Sequence, residues 1–351
     1  MTTLLQILDI TSGIGFLVFI HELGHFFAAK MCKVKILTFA FGFGPDFIKY
    51  TYKGTKYCLK AIPFGGFVSM AGENPQEACG LEGEYLSLKW YKKIWIAFAG
   101  PFSNYILAVF VFAFVFNIWG VSMISTDSSL GAVIENYPAA LAGLKPGDKI
   151  KSIDGIEVNT WSDLSANLKD KANKQTFFVI NRGSYSFELS ILVAKNLVTE
   201  TGAIGISPAI IKTEAGFFKS LYLGIKTSIV QTVMTVVYLA DKIISFEKPD
   251  IAGPIGVIQI MANAAKDGMQ NYLKLIAIIS VALGLFNLLP IPMVDGGMIV
   301  LFFIEGLIRK QIKAKFVQIY NTMGLIFIIA IFLFATYSDL IRLGIGKLFN
   351  G

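Results

Sequence analysis

The chain of 351 residues contains two histidines, and they stand four apart as His21 and His25 in the run HELGH, with Glu22 directly after the first. On an α-helix, positions i and i+4 share a face, so both imidazoles can hold one ion while Glu22, a residue further round, reaches a water bound to it. Chance places this HExxH pattern in about one such chain in 5,000. The ordinary alternative is a pair of hydrogen-bonded core histidines. Against it stands the setting, because residues 4 to 29 are otherwise apolar except for Asp9, and buried polar groups in lipid are costly unless paired or metal-bound.

Zinc held by two histidines and a water lacks one protein ligand, and with no third histidine that ligand is a carboxylate or a thiolate. Cys32 lies about 10 Å along the axis from His25, too far to share the ion while the helix continues. Glu305, four before Arg309, reads as half of an ordinary i,i+4 pair. Asp295 is different. It lies in NLLPIPMVDGG, residues 287 to 297, where Pro290 and Pro292 remove backbone donors and Gly296 with Gly297 permits unwinding. Its depth also matches, about 21 Å from Arg309 against about 15 Å from the HELGH centre to Lys33 if the intervening residues are helical. The expectation is one zinc per chain, with Glu22 taking the proton of a water and passing it to the leaving amine. Asn287 reads equally as a hydrogen-bond donor to the oxyanion or substrate backbone and as polar glue between spans.

The elements that carry these residues must sit in lipid. Hydrophobic residues make up 54% of the chain and charged ones 16%, with 30 phenylalanines and a mean hydropathy of +0.62. About a quarter charged is usual for soluble proteins, so most soluble classes, disorder and low-complexity chains are excluded. Nothing suggests nucleic acid. Residues 94 to 120 are 27 positions without a charge, 316 to 338 are 23, and 275 to 294 are 20 before Asp295 interrupts a span that resumes to Ile308. The start MTTLLQILD lacks a basic n-region and a cleavage site, so the first apolar stretch reads as a retained span.

Lysines crowd two short links, ten of them from Lys30 to Lys93 and four basic residues from Arg309 to Lys315, which puts both links in the cytoplasm and the long stretch between them outside. Cys32, Cys58 and Cys79 fall in the first link, where free thiols are expected. The expected organisation is a transmembrane helix with HExxH in 1–31, a cytoplasmic and re-entrant β region in 32–93, and spans at 94–120, 272–308 and 316–338. An extracytoplasmic domain fills 121–210 and an interfacial amphipathic connector 211–271, with Lys219, Lys226, Asp241, Lys242 and Glu247 among its apolar positions. Within the β region, residues 36 to 70 alternate as short extended runs about a Lys53-Gly54 turn, a hairpin that lies on the membrane surface or enters it. In the outer stretch, Pro146-Gly147-Asp148 and Asp154-Gly155 mark turns, followed by a helical stretch near 161 to 169 and the strand TFFVI at 176 to 180.

HELGH, AGPFSN at 99–104, the outer domain and NLLPIPMVDGG, in this order, resemble the bacterial site-2 proteases, most closely the regulator-of-sigma-E protease type, over nearly the whole chain. The resemblance implies an α-helical multi-pass membrane protein with about four transmembrane helices, a re-entrant β-hairpin insertion and one extracytoplasmic PDZ-like α+β domain, whose AGLKPGD run is its most recognisable element. The enteric members carry two PDZ domains, so a tandem gate is not implied here. The resemblance further implies zinc on His21, His25 and Asp295 with Glu22 as acid/base, and a FGFGP loop, residues 41 to 45 with Gly42 and Gly44, dipping beside the site to pair with a substrate strand. Its implied partners are the lipid bilayer and single-span proteins of the anti-sigma-factor or remnant-signal-peptide kind, cut in regulated intramembrane proteolysis at the bacterial inner membrane, with the active site nearer the cytoplasmic face. Two rivals are a membrane metal carrier, which needs no acid/base at Glu22, and a noncatalytic PDZ scaffold, which needs no metal. AGPIGV at 252 to 257 is similar to a family loop of uncertain role.

Overall fold

The computed structural model describes residues 2–74, 76–196, 200–245 and 253–342, so that Glu247 and Ala252, together with the side chain of Asp9, lie outside the described residues. Two compact units emerge, one of residues 1–118 and 216–351 and one of Trp119–Ala215.

The first unit begins with α1 (Thr2–Met31), followed by the hairpin of β1 (Ile36–Tyr52) and β2 (Thr55–Met70) and by α2 (Trp90–Trp119). Lys53 and Gly54 join the strands, and their φ angles are both positive, at 48° and 79°, as a type I′ turn requires. Thr38–Phe41 of β1 lie between two stretches of β2, Lys56–Leu59 on one side and Gly66–Ser69 on the other, so the hairpin curls into a small sheet. It packs on α1 through Phe26, Phe39, Val68 and Met70. Near its bend, the Pro63 carbonyl stands where a Cβ on Gly15 of α1 would come within 2.3 Å.

The second unit contains β3 (Val121–Ile124), β4 (Leu130–Val133), α3 (Pro138–Leu141), β5 (Lys149–Ile153), β6 (Ile156–Glu157), α4 (Trp161–Lys169), β7 (Gln175–Arg182), β8 (Tyr185–Leu192), β9 (Ala194–Lys195), β10 (Gly202–Ala203), β11 (Ile206–Pro208) and β12 (Ile210–Thr213). A four-stranded sheet of order β6-β5-β7-β8 is joined by the pairs β4–β11, β3–β12 and β9–β10. Ile150, Ile153, Phe178 and Ile180 of the sheet close a core with Leu164 and Leu168 of α4, which starts in a capping box of Thr160 and Asp163. Asp148, buried in the Pro146-Gly147-Asp148 turn, receives Arg182 through Nε and Nη2 at 2.7 and 2.8 Å.

The chain returns to the first unit with α5 (Phe217–Ile244), α6 (Pro254–Lys266), α7 (Met269–Leu288), α8 (Asp295–Ile308) and α9 (Ala314–Arg342). Polar and small groups face inward here, Asn104, Ser280 and Ser228 being buried, while Phe110, Phe114, Phe332 and Phe334 are exposed. That inversion is what a lipid solvent selects. Gly253 and Gly256 of the AGPIGV run donate their N–H groups to the buried Asp339 carboxylate at 3.1 and 2.8 Å, which ties the start of α6 to α9.

Residues 211–271, expected as an interfacial connector, hold α5, α6 and the first residues of α7. Five helices among the described residues are long and apolar enough to cross a membrane, one more than the four spans expected, and the addition is α5. It runs beside α2. Phe217 and Leu221 share a cavity of about 430 Å³ with Phe110, Phe114 and Asn117, a Cβ on Gly224 would lie 2.5 Å from the Val109 carbonyl, and Thr232 Oγ1 donates to Tyr105 Oη at 3.2 Å. As α5 advances the α2 numbers fall, so the two are antiparallel neighbours. The buried Ser220, Gly224 and Ser228 recur every four residues, the small-residue stripe by which membrane helices approach closely. Leu273 of α7 lines the same cavity. Helices α5 and α7 therefore both begin at the Asn117 end of α2.

Candidate metal centre

His21 and His25 sit on the inner face of α1, both buried, with their Nε2 atoms 3.1 Å apart. Asp295, distant in sequence, opens α8 and brings Oδ2 to 3.0 Å from His21 Nε2 and Oδ1 to 3.3 Å from His25 Nε2. The chain can present it because residues 289–294 are not helical and Met293 takes a positive φ of 76°. Gly297 lets this turn fold tightly, since a Cβ there would lie 1.9 Å from the Ile291 carbonyl. As the first residue of α8, the Asp295 carboxylate also meets the positive end of a helix.

The donor set fits zinc. Nitrogen and oxygen ligands at about 2.0–2.1 Å in a tetrahedron stand about 3.3 Å from one another, close to the spacings observed. His25 Nδ1 lies 2.8 Å from the Ile96 carbonyl, so it carries the proton and leaves Nε2 with a free lone pair. Gly100 of α2 completes the cradle. A Cβ at that position would lie 2.3 Å from His25 Nε2 and 2.8 Å from His21 Nε2, in the space a shared cation needs.

Glu22 is held from the hairpin, where the Val68 N–H donates to its Oε2 at 3.1 Å and Gly66 approaches its side chain. The strand stretch touching Glu22 is thus Gly66–Val68 of β2. Gly42 and Gly44 lie in β1 with φ of 90° and 88°, at the bend where Gly42 closes on the Ile62 carbonyl. Asn287 is half-buried near the end of α7, whereas the amide beside a ligand is that of Asn104, fully buried, with Nδ2 3.3 Å from His21 Nδ1. Sequence reasoning marked AGPFSN as a motif without finding this role; the signal was Gly100 and Asn104, one turn apart on one face. The reading of Glu305 also changes. Its Oε1 receives the buried Lys93 Nζ at 2.5 Å, from α2 rather than from Arg309, because Arg309 leaves the helix with a left-handed φ of 52°.

A family model described as Peptidase family M50 matches residues 10–331. A Campylobacter jejuni protein with a provisional zinc-metalloprotease name is 32% identical over 348 residues, covering 94% of this chain and 92% of that protein. A Clostridium perfringens protein with the same kind of name is 32% identical over 336 residues, covering 93% and 95%. Metalloprotease MmpA of Caulobacter vibrioides is 29% identical over 398 residues, covering 99% and 98%. Among solved structures, the PDZ domain of an SdrC-like protein from Listeria innocua is 24% identical over 26% of this chain and 100% of that one, with a TM-score of 0.22. The extent of the family match and the identity to full-length relatives establish that the chain belongs to peptidase family M50, the site-2 proteases.

Proposed function

We propose that this protein is a zinc-dependent intramembrane endopeptidase that hydrolyses peptide bonds within or beside the transmembrane segments of other membrane proteins. The observation that carries the reading is the meeting of the buried His21 and His25 with the half-buried Asp295 among helices apolar enough for a membrane. Zinc bound there supplies a Lewis acid and brings the pKa of water toward 7. The Val68 N–H occupies Oε2 of Glu22 and leaves Oε1 to take a proton from the attacking water and return it to the leaving amine. The strand edge at Gly66–Val68 offers hydrogen bonds to an unwound substrate segment, which a helical peptide bond needs before attack.

The same reading places the Trp119–Ala215 unit outside the cell as a PDZ-like domain and the hairpin in the membrane. Support for the hairpin is its contact with Gly15, well inside the first apolar helix. Support for the orientation is the lysine-rich links, which put the active site nearer the cytoplasmic face of a bacterial inner membrane. Substrates are then single-span proteins of the anti-sigma-factor or signal-peptide-remnant kind. Co-expression with tagged single-span proteins tests this. Wild type releases a fragment ending inside the span, and Glu22→Gln reduces that release about 10²- to 10⁴-fold while zinc stays bound. Undiminished cleavage by Glu22→Gln overturns the reading.

A further inference from the structure

The two histidines receive different support at their outer nitrogens. A neutral imidazole carries one N–H, so a ring that gives its Nε2 lone pair to a cation must hold the proton on Nδ1 and needs an acceptor there. His25 has a fixed one in the Ile96 carbonyl. The neighbour of His21 Nδ1 is instead the Asn104 amide, which offers a donor on one side and an acceptor on the other. Asn104 is 0% exposed, and its Oδ1 is a buried acceptor with no donor. Unsatisfied polar atoms of this kind are rare and call for a physical account.

The geometry points to Asn104 as a positioning residue that sets the His21 tautomer by turning its amide. With Nδ2 toward the ring, Asn104 donates to a bare Nδ1 and the His21 proton sits on Nε2, where Asp295 Oδ2 at 3.0 Å accepts it. That tautomer cannot bind a cation. With the amide turned by 180°, which alters its shape little, Oδ1 accepts the Nδ1–H and Nε2 is free for metal, while the position without a partner passes from Oδ1 to Nδ2. Backbone contacts hold Asn104 in place for either state, since its own carbonyl accepts from Ser280 Oγ at 2.8 Å. The inference rests on the metal reading above and adds a device for loading and holding the ion that the ligands alone do not contain.

The test is zinc affinity of the purified full chain in detergent, measured by competition with a chromophoric chelator, with gel filtration and thermal unfolding to verify the fold. Asn104→Leu, close in size but without polar atoms, weakens zinc binding about 10- to 100-fold. Asn104→Asp, which accepts from Nδ1–H, stays within a few-fold of wild type. A packing role alone gives the opposite order, with Leu near wild type and Asp impaired, and that result overturns the inference. If the Leu variant is not recovered folded, Asn104→Ala replaces it under the same criteria. His21→Ala separates the two levels: zinc binding unchanged in that variant sinks the metal centre itself, whereas binding lost in His21→Ala but unchanged in Asn104→Leu sinks only the positioning role.

Discussion

At the scale of single residues, the centre depends as much on what is missing from a position as on what is present. His21, His25 and Asp295 supply the donor atoms, but Gly100 supplies the room, because any Cβ there stands 2.3 Å from His25 Nε2. Gly100→Ala therefore removes bound zinc, and cleavage with it. Alanine favours a helix by about 1 kcal/mol over glycine, so α2 itself is not weakened by the change. Elemental analysis of the dialysed variant reads the outcome, and a full complement of zinc would count against the assigned cradle.

At the scale of elements, the centre exists only while α8 is held against α1 and α2. The Lys93–Glu305 pair makes one such attachment, joining the start of α2 to the far part of α8, with Lys93 Nζ also 4.9 Å from the centre of the Phe302 ring. Breaking one partner of a buried pair leaves an uncompensated charge, at a cost of about 3–5 kcal/mol. Lys93→Met and Glu305→Met should each lower the unfolding midpoint in detergent, and the double variant should recover most of the loss. Losses that simply add would show that the two side chains do not act as a pair. The antiparallel contact of α5 with α2 belongs to this scale too, and at Gly224, where a Cβ would lie 2.5 Å from the Val109 carbonyl, it depends on the absence of a side chain.

At the scale of the whole molecule, the two units differ in what holds them. The Trp119–Ala215 unit has an ordinary apolar core with a charged clasp at its edge. Burial alone would raise the Asp148 carboxyl, but the Arg182 fork and the Lys145 N–H outweigh it and hold the carboxyl below the usual carboxylate range. A folded-state pKa below the unfolded one adds stability that is present above the unfolded value, near about 4, and is lost as pH falls through the lowered folded value. Protease resistance of this unit in the intact chain should therefore decline in acid. Arg182→Met should weaken it by about 1–3 kcal/mol at neutral pH and flatten that decline. An unchanged acid profile in the variant would show that the clasp is not responsible.

The sequence by itself determined the local part of the chemistry. Four-residue spacing on a helix is enough to aim His21 and His25 together, and the Pro and Gly residues around Asp295 are enough to announce a break in a membrane span. The Lys53-Gly54 turn was legible for the same reason, since its backbone angles follow from two adjacent residues. Only the tertiary structure decided that Gly100 makes space for both rings, that Asn104 rather than Asn287 stands beside a ligand, and that Glu305 pairs with Lys93. It also decided that α5 packs along α2, because a stripe of small residues does not differ from a weakly amphipathic surface until its neighbour is known. Hydrophobic periodicity and spacing record which way a side chain faces along its own element. Contacts across hundreds of positions, such as that of His25 with Asp295, depend on which elements the packed fold brings side by side.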